Sequence, residues 1–157
     1  LTEVSVADYD HVMNVNVKGA FFVAQEVGRR MIAHAHNNSG FRGRIINIAS
    51  AAGLRSASKL GLYSMSKAAV IQMTKAQALE WGRYHINVNA ICPGYIRTAM
   101  NEEQWETEAG QKLLQMMPRK RLGHPSDLDG LLLLLASDES HFINGAVITA
   151  DDGVSVA

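Results

Sequence analysis

Stretches with helical apolar spacing alternate along this chain with short, nearly continuous apolar runs, and that alternation predicts its elements. From Ser5 to about His34, Val12, Val15, Val17, Phe21, Phe22, Val27 and Met31 supply the broad apolar surface of a long helix. Ser5, with Asp8 three residues on, suits its start. Gly43–Ser50 is β-branched, almost wholly apolar and ends in small residues, the pattern of a buried parallel strand. A loop rich in Ser, Gly and Ala runs from Ala51 to about Gly61, and a helix opens around Tyr63 and runs to about Tyr84. Ile86–Ile91 predicts a second strand. The polar stretch Asn101–Arg121 carries Trp105, Leu113, Leu114, Met116 and Met117, which suits a pair of short helices. Pro125-Ser126-Asp127 starts a further helix with Ser126 as its cap. Its run Leu131–Leu135 is apolar on every side and is expected to be buried on more than one. Ala146–Ala150 is the last predicted strand.

Strands alternating with helices predict an α/β fold with a parallel sheet and right-handed crossovers. Only three strands are predicted. The first is apolar on both faces and has no neighbour on one side, so its edge is left uncovered.

In such sheets ligands gather at the carboxyl ends of the strands, where Ser50 is expected. Thirteen residues later comes Tyr63-x-x-x-Lys67. Residues four apart on a helix share a face, and the intervening loop can fold that face back over Ser50. A phenol has an ordinary pKa of about 10, too high for a good base near neutrality. A neighbouring ammonium favours the phenolate and brings that value down. Ser50 can hold the same substrate oxygen by a hydrogen bond. Together the three groups can protonate a ketone oxygen, or deprotonate an alcohol, while a hydride moves at carbon. Taken singly, the Tyr–Lys pair is an ordinary helix start with a solvated lysine, and Ser50 a strand-end serine. Their combination in a strand–loop–helix context carries the functional reading.

Composition narrows the picture. With 157 residues the chain can be one domain by size, and 47% hydrophobic residues suffice for a core. A formal net charge of zero gives no electrostatic case for nucleic acid or an anionic membrane. The longest apolar run, Leu131–Ala136, is far too short to span a bilayer. The single cysteine, Cys92, forms no internal disulfide, is expected as a buried thiol, and fits a cytoplasmic setting. His34 and His36 have no Asp, Glu or Cys at ligand spacing, so no metal is expected.

At these residues the chain resembles the short-chain dehydrogenase/reductase family, from near residue 4 to the C-terminus. Five pieces stand in the family's order: Asn16 in Val15-Asn16-Val17-Lys18-Gly19, Ser50 in Asn47-Ile48-Ala49-Ser50, the pair Tyr63 and Lys67, the turn Pro93-Gly94, and Thr98 with Ile96 beside it. The resemblance implies that Tyr63 is the general acid/base and that Ser50 positions the substrate oxygen. It implies that Lys67 lowers the Tyr63 pKa and binds the nicotinamide ribose, and that Asn16 holds a water linking Lys67 to a proton relay. Pro93, Gly94, Ile96 and Thr98 would face the nicotinamide, Thr98 at its carboxamide. It further implies a Rossmann-like doubly wound sheet, NAD or NADP as cofactor, a small alcohol or ketone as substrate, and a homo-oligomer, dimer or tetramer.

The family's Thr-Gly-x-x-x-Gly-x-Gly phosphate loop and its Asn-Asn-Ala-Gly strand end are absent from the chain. Residues 1–157 are therefore expected to be the C-terminal part of a single NAD(P)-binding domain, its first mononucleotide-binding half lying outside them. Asp151-Asp152-Gly153 stands where the family more often has Asp-Gly-Gly, which places an aspartate where glycine's conformational freedom is usual. In family terms Asn101–Arg121 is the substrate lid, and its methionines suit an apolar acyl or ring substrate. The implied activity is hydride transfer between NAD(P)(H) and an alcohol/ketone pair, with 3-oxoacyl thioester reduction the nearest analogy and a polyol, steroid or xenobiotic alcohol as the second class. The alternative is a truncated, non-catalytic paralogue whose helices serve as a dimerisation scaffold.

Overall fold

The strand Ile86–Pro93 (β2) is almost wholly buried, with Ile86, Val88, Ala90 and Cys92 at 0% exposure. It pairs in parallel with Gly43–Ile48 (β1) on one side and Val147–Ala150 (β3) on the other. A computed structural model describes residues 1–156 and gives a three-stranded sheet of order β1-β2-β3. Gly43 stands opposite Ile86 and Ile48 opposite Ile91, so β1 and β2 end together at their carboxyl ends.

The helices are Val6–Met13 (α1), Ala20–His36 (α2), Gly61–Trp81 (α3), Glu102–Glu106 (α4), Glu108–Met116 (α5) and Asp129–Ala136 (α6). Ser5 caps α1 and Asp8 completes the reciprocal box, as the spacing predicts. The helix expected from Ser5 to His34 is interrupted: Asn14–Gly19 forms a π-helical turn between α1 and α2. Its apolar surface is also less covered than expected, since only Ala24 and Gly28 of α2 are buried and Phe22 is 54% exposed. His34 and His36 pack edge-on against Phe41 and Tyr84. The 3-10 turn Pro125–Leu128 that leads into α6 is capped by His124, not Ser126, and α6 itself has no side-chain cap. The His124 ring accepts from the Ser126 N–H, Asp127 accepts from the His124 N–H, and Pro125 opens the turn.

Side chains alternate across a strand, so partners reveal faces. Ile45, Val88 and Ile86 pack with Ala78 and Trp81 of α3 and with Met31 and Ile32 of α2. On the opposite face, Arg44 donates to the Ser137 carbonyl at the end of α6, and Asn87 and Asn89 donate to the carbonyls of Ser140, His141 and Ile143. The sheet is thus covered on both faces. Both crossovers step the same way across it with their helices on opposite faces, so they have opposite hands. The expected right-handed connection holds for only one of them. In the long connection from Gly94 to Ala146, Asn87 and buried Asn89 tie the returning chain to β2: Asn89 also accepts from the Ala146 N–H.

Candidate active site

The carboxyl end of β1 carries the first component. Ala49 still bonds to the Ile91 carbonyl, and the chain then leaves the sheet. Ser50 follows in extended conformation and caps a 3-10 turn, Ala51–Gly53, its Oγ accepting from the Ala52 N–H at 3.1 Å. A hydroxyl that accepts there can still donate its proton outward. Gly53 brings the turn against α3. A Cβ at this position would lie 2.8 Å from the Lys67 backbone carbon and 2.9 Å from the Ala68 nitrogen, so only glycine allows this approach.

Helix α3 carries the second component. Tyr63 and Lys67 are one turn apart on it, with Tyr63 37% exposed and Lys67 half-buried. Lys67 Nζ donates to the Ile48 carbonyl at 3.0 Å and lies 5.7 Å from the centre of the Tyr63 ring. One ammonium therefore bridges the strand end that leads to Ser50 and the phenol. Burial pushes the Lys67 pKa below its ordinary value, opposed in part by neighbouring Cys92. Burial likewise pushes the Cys92 thiol up, opposed by the Ser50 N–H and by Lys67, so the thiol is neutral near pH 7.

Asn16 sits in the π-helical turn, half-buried, and its Nδ2 donates to Ser66 Oγ at 3.0 Å. π-turns inside helices concentrate at functional positions. Ser66 in turn donates to the Tyr63 carbonyl at 2.7 Å. The four residues expected to act together are linked in two pairs: the turn after Ser50 to Lys67 through Ile48 and Gly53, and Asn16 to Tyr63 through Ser66.

Pro93 closes β2, and the Gly94 N–H bonds to the Ala150 carbonyl. A Cβ on Gly94 would meet Asp151 at 2.7 Å, so the loop after β3 closes directly over this turn. Ile96 and Thr98 stand further out. Thr98 is exposed, and its N–H bonds to Asn101 Oδ1 while Asn101 Nδ2 bonds to the Ile96 carbonyl. Asn101, which sequence reading took only as the edge of the lid, clamps this segment. Ser66 was missed as well. A serine inside a helix gives no signal in the apolar pattern, whereas the Thr98-x-x-Asn101 spacing could have suggested a side-chain clamp.

The segment expected as a lid, carrying α4 and α5, leaves and rejoins the body at one point. Arg97 N–H bonds to the Gly123 carbonyl, and Gly123 N–H to the Tyr95 carbonyl. Trp105 is 2% exposed and meets the Tyr95 ring edge-on at 5.4 Å. A cavity of about 510 Å³ opens between the lid and the turn after Ser50, walled by Ala51, Leu60, Leu113, Met116, Met117 and Val154 among others. Ser50, Tyr63, Lys67 and Thr98 are not on its wall; it begins one residue past Ser50. Beyond it, Asp152 adopts a left-handed conformation with φ 57°, one that aspartate tolerates better than most side chains. A hydrogen bond from Arg121 holds its carboxyl below the usual range, with Arg119 3.4 Å away adding to the effect.

A family model described as enoyl-(acyl carrier protein) reductase matches residues 1–155. Among curated proteins, the chain is 38% identical over 152 residues to a 2-dehydro-3-deoxy-D-gluconate 5-dehydrogenase from Dickeya dadantii, covering 96% of this chain and 58% of the relative. It is 42% identical over 156 residues to a subunit of (2S)-[(R)-hydroxy(phenyl)methyl]succinyl-CoA dehydrogenase from Thauera aromatica, covering 99% and 60%. The solved structure of a gluconate 5-dehydrogenase from Burkholderia cenocepacia, in complex with NADP and tartrate, superposes with a TM-score of 0.91 at 34% identity, covering 99% of this chain and 59% of that one. The chain thus spans about three fifths of the length of the relatives it matches. A parallel sheet ending at Ser50, a helix presenting Tyr63 and Lys67, and a match that runs from end to end leave one conclusion: the chain belongs to the short-chain dehydrogenase/reductase family.

Proposed function

We propose that these residues form the C-terminal, proton-handling part of a single NAD(P)-binding domain, in an oxidoreductase that interconverts an alcohol and a ketone. The observation that carries this is Lys67, held between the Ile48 carbonyl and the Tyr63 ring.

The donor chemistry fits a nicotinamide riboside. An ammonium has three donors, and Ile48 takes one, so Lys67 can also reach ribose hydroxyls. Pro93, Gly94, Ile96 and Thr98 would wall the nicotinamide. Bound NAD or NADP would supply or accept the hydride. The chain's own residues handle the oxygen. Tyr63 gives its hydroxyl proton to the ketone oxygen in reduction and recovers one from the alcohol in oxidation. Ser50 donates to that same oxygen and holds it in line. The Lys67 charge stabilises the negative charge that grows on the Tyr63 oxygen as the proton leaves. Tyr63→Phe removes one hydroxyl and should lower kcat by roughly a hundredfold to ten-thousandfold in the full-length enzyme. Unchanged turnover would end the assignment.

Within this reading, an apolar-bodied substrate such as a 3-oxoacyl thioester is favoured. The cavity wall carries Arg55, Tyr95 and the serines Ser56, Ser58 and Ser155, but Leu60, Leu113, Met116, Met117 and Val154 form an aliphatic side that offers no partner to a hydroxyl. Each unpaired hydroxyl buried there would cost about 1–3 kcal/mol. The Thauera aromatica relative is named for a phenyl-bearing CoA thioester, and the gluconate relatives for sugar acids. Steady-state comparison of the two substrate classes decides between them: an enzyme that prefers the sugar acid refutes the apolar reading. Exposed Phe22 and Leu79 on α2 and α3 support a homo-oligomer, and the lone buried thiol suits a cytoplasmic setting. No helix among the described residues is long and apolar enough to cross a membrane.

A further inference from the structure

We infer that Ser66 is a positioning residue for the Tyr63–Lys67 pair, locking the first turns of α3 to the π-helical turn that holds Asn16. The inference rests on the hydride-transfer reading above and adds to it a residue that does not touch substrate.

Ser66 is fully buried, and its hydroxyl has two partners. It donates to the Tyr63 carbonyl, three residues back, at 2.7 Å, and accepts from Asn16 Nδ2, fifty residues away in sequence, at 3.0 Å. Tyr63 and Lys67 flank it on the same helix, so any rotation of α3 about its axis at this point moves the phenol and the ammonium together. Further along, Val70, Ile71 and Thr74 are buried and the Gly53 turn abuts the Lys67 and Ala68 backbone, so the body of α3 is fixed there and Ser66 acts on its first turns, where the two side chains are less constrained. Lys67 is long and flexible, and its bond to Ile48 can follow a small displacement of the helix. Tyr63 is more than a third exposed and is not wedged by packing. The Asn16–Ser66–Tyr63 chain is short on both sides and lies in a place where an unmade hydrogen bond is expensive, which makes it selective for one arrangement. Asn16 lies in the π-helical turn Asn14–Gly19, and its side chain reaches across to α3 from there.

This role separates from simple packing in its kinetics. Loss of the hydroxyl lets the phenol drift relative to the substrate oxygen, which reduces proton transfer more than substrate binding. In the full-length enzyme, Ser66→Ala should therefore lower kcat on the order of tenfold to a hundredfold, with KM for the ketone changed little, and should displace the pH profile of kcat. Ser66→Thr keeps a hydroxyl on the same carbon and should restore most of the rate and the original profile. Asn16→Ala alone should show the same pattern, and the double variant should lose no more than the worse single one, because both remove one chain of bonds. Three results overturn the inference: Ser66→Ala with normal kcat and pH profile while Tyr63→Phe is inactive, Ser66→Ala and Asn16→Ala losses that multiply, or Ser66→Thr as impaired as Ser66→Ala. The first of these leaves the hydride-transfer reading standing. A folded wild-type enzyme that reduces no ketone with either dinucleotide overturns both.

Discussion

Lys67 is half-buried and carries its charge beside a thiol, which ties its chemistry to the stability of the fold. Its folded-state pKa lies below 10.5, so between that value and 10.5 the unfolded chain binds a proton that the folded chain has shed. In that window stability gained from Lys67 rises with pH. Lys67→Met has no such group. The unfolding free energy of the wild type should therefore improve relative to Lys67→Met as pH is raised from neutrality towards 10.5, and denaturant titrations at several pH values check this. A wild-type stability that stays level or falls relative to Lys67→Met would mean that Lys67 is not desolvated in the fold. Tyr63, Lys67 and Ser50 were readable in the sequence because their chemistry needs uncommon side chains at fixed spacing. Ser66 was not, because its partner Asn16 is brought near only by tertiary packing. Asp152 stands where the family more often has glycine. It does take a positive φ, and Arg119 and Arg121 supply the compensation that no local pattern reveals.

Between elements, the critical approach is that of the Ala51–Gly53 turn to α3. Gly53→Ala would push a methyl group against the Lys67 and Ala68 backbone, which cannot move aside as a side chain can. The expected cost is about 1–3 kcal/mol, visible as a lower Tm, together with a fall in kcat because Ser50 shifts with its turn. A variant with wild-type Tm and kcat would show that the turn has slack. The strands and the long helix α3 were readable from apolar pattern alone. The π-turn was not, since an inserted residue in a helix disturbs the apolar spacing too little to be noticed. The His124 cap was within reach: proline favours the first helical position, and Pro125 with Asp127 points to the residue just before it.

For the whole molecule, the three-stranded sheet ends in two edge strands, β1 and β3, and β1 is the longer. β1 pairs only with β2 among the described residues, and its last residue, Ile48, is half exposed. Hydrogen exchange on the chain of 157 residues should find the outward-facing amides of β1 exchanging about tenfold or more faster than those of β2. In a longer chain that supplies a neighbouring strand, that difference should vanish. Equal protection in the 157-residue chain would mean that another copy covers the edge. The opposite hands of the two crossovers could not be read in advance, because right-handed connections are the rule and the bonds from Asn87 and Asn89 that tie the Gly94–Ala146 link to its face leave no local sequence pattern. The lid within that link departs and returns through the same pair of hydrogen bonds, at Tyr95–Arg97 and Gly123. A segment anchored that way is a cassette. Provided that Arg119 and Arg121 are kept to hold Asp152, its length and side chains are exchangeable without touching β2, β3 or the Ser50, Tyr63 and Lys67 cluster, so a proposed chemistry could be inherited unchanged while the substrate is renegotiated, and a graft of this segment from a relative is the natural unit for redesign.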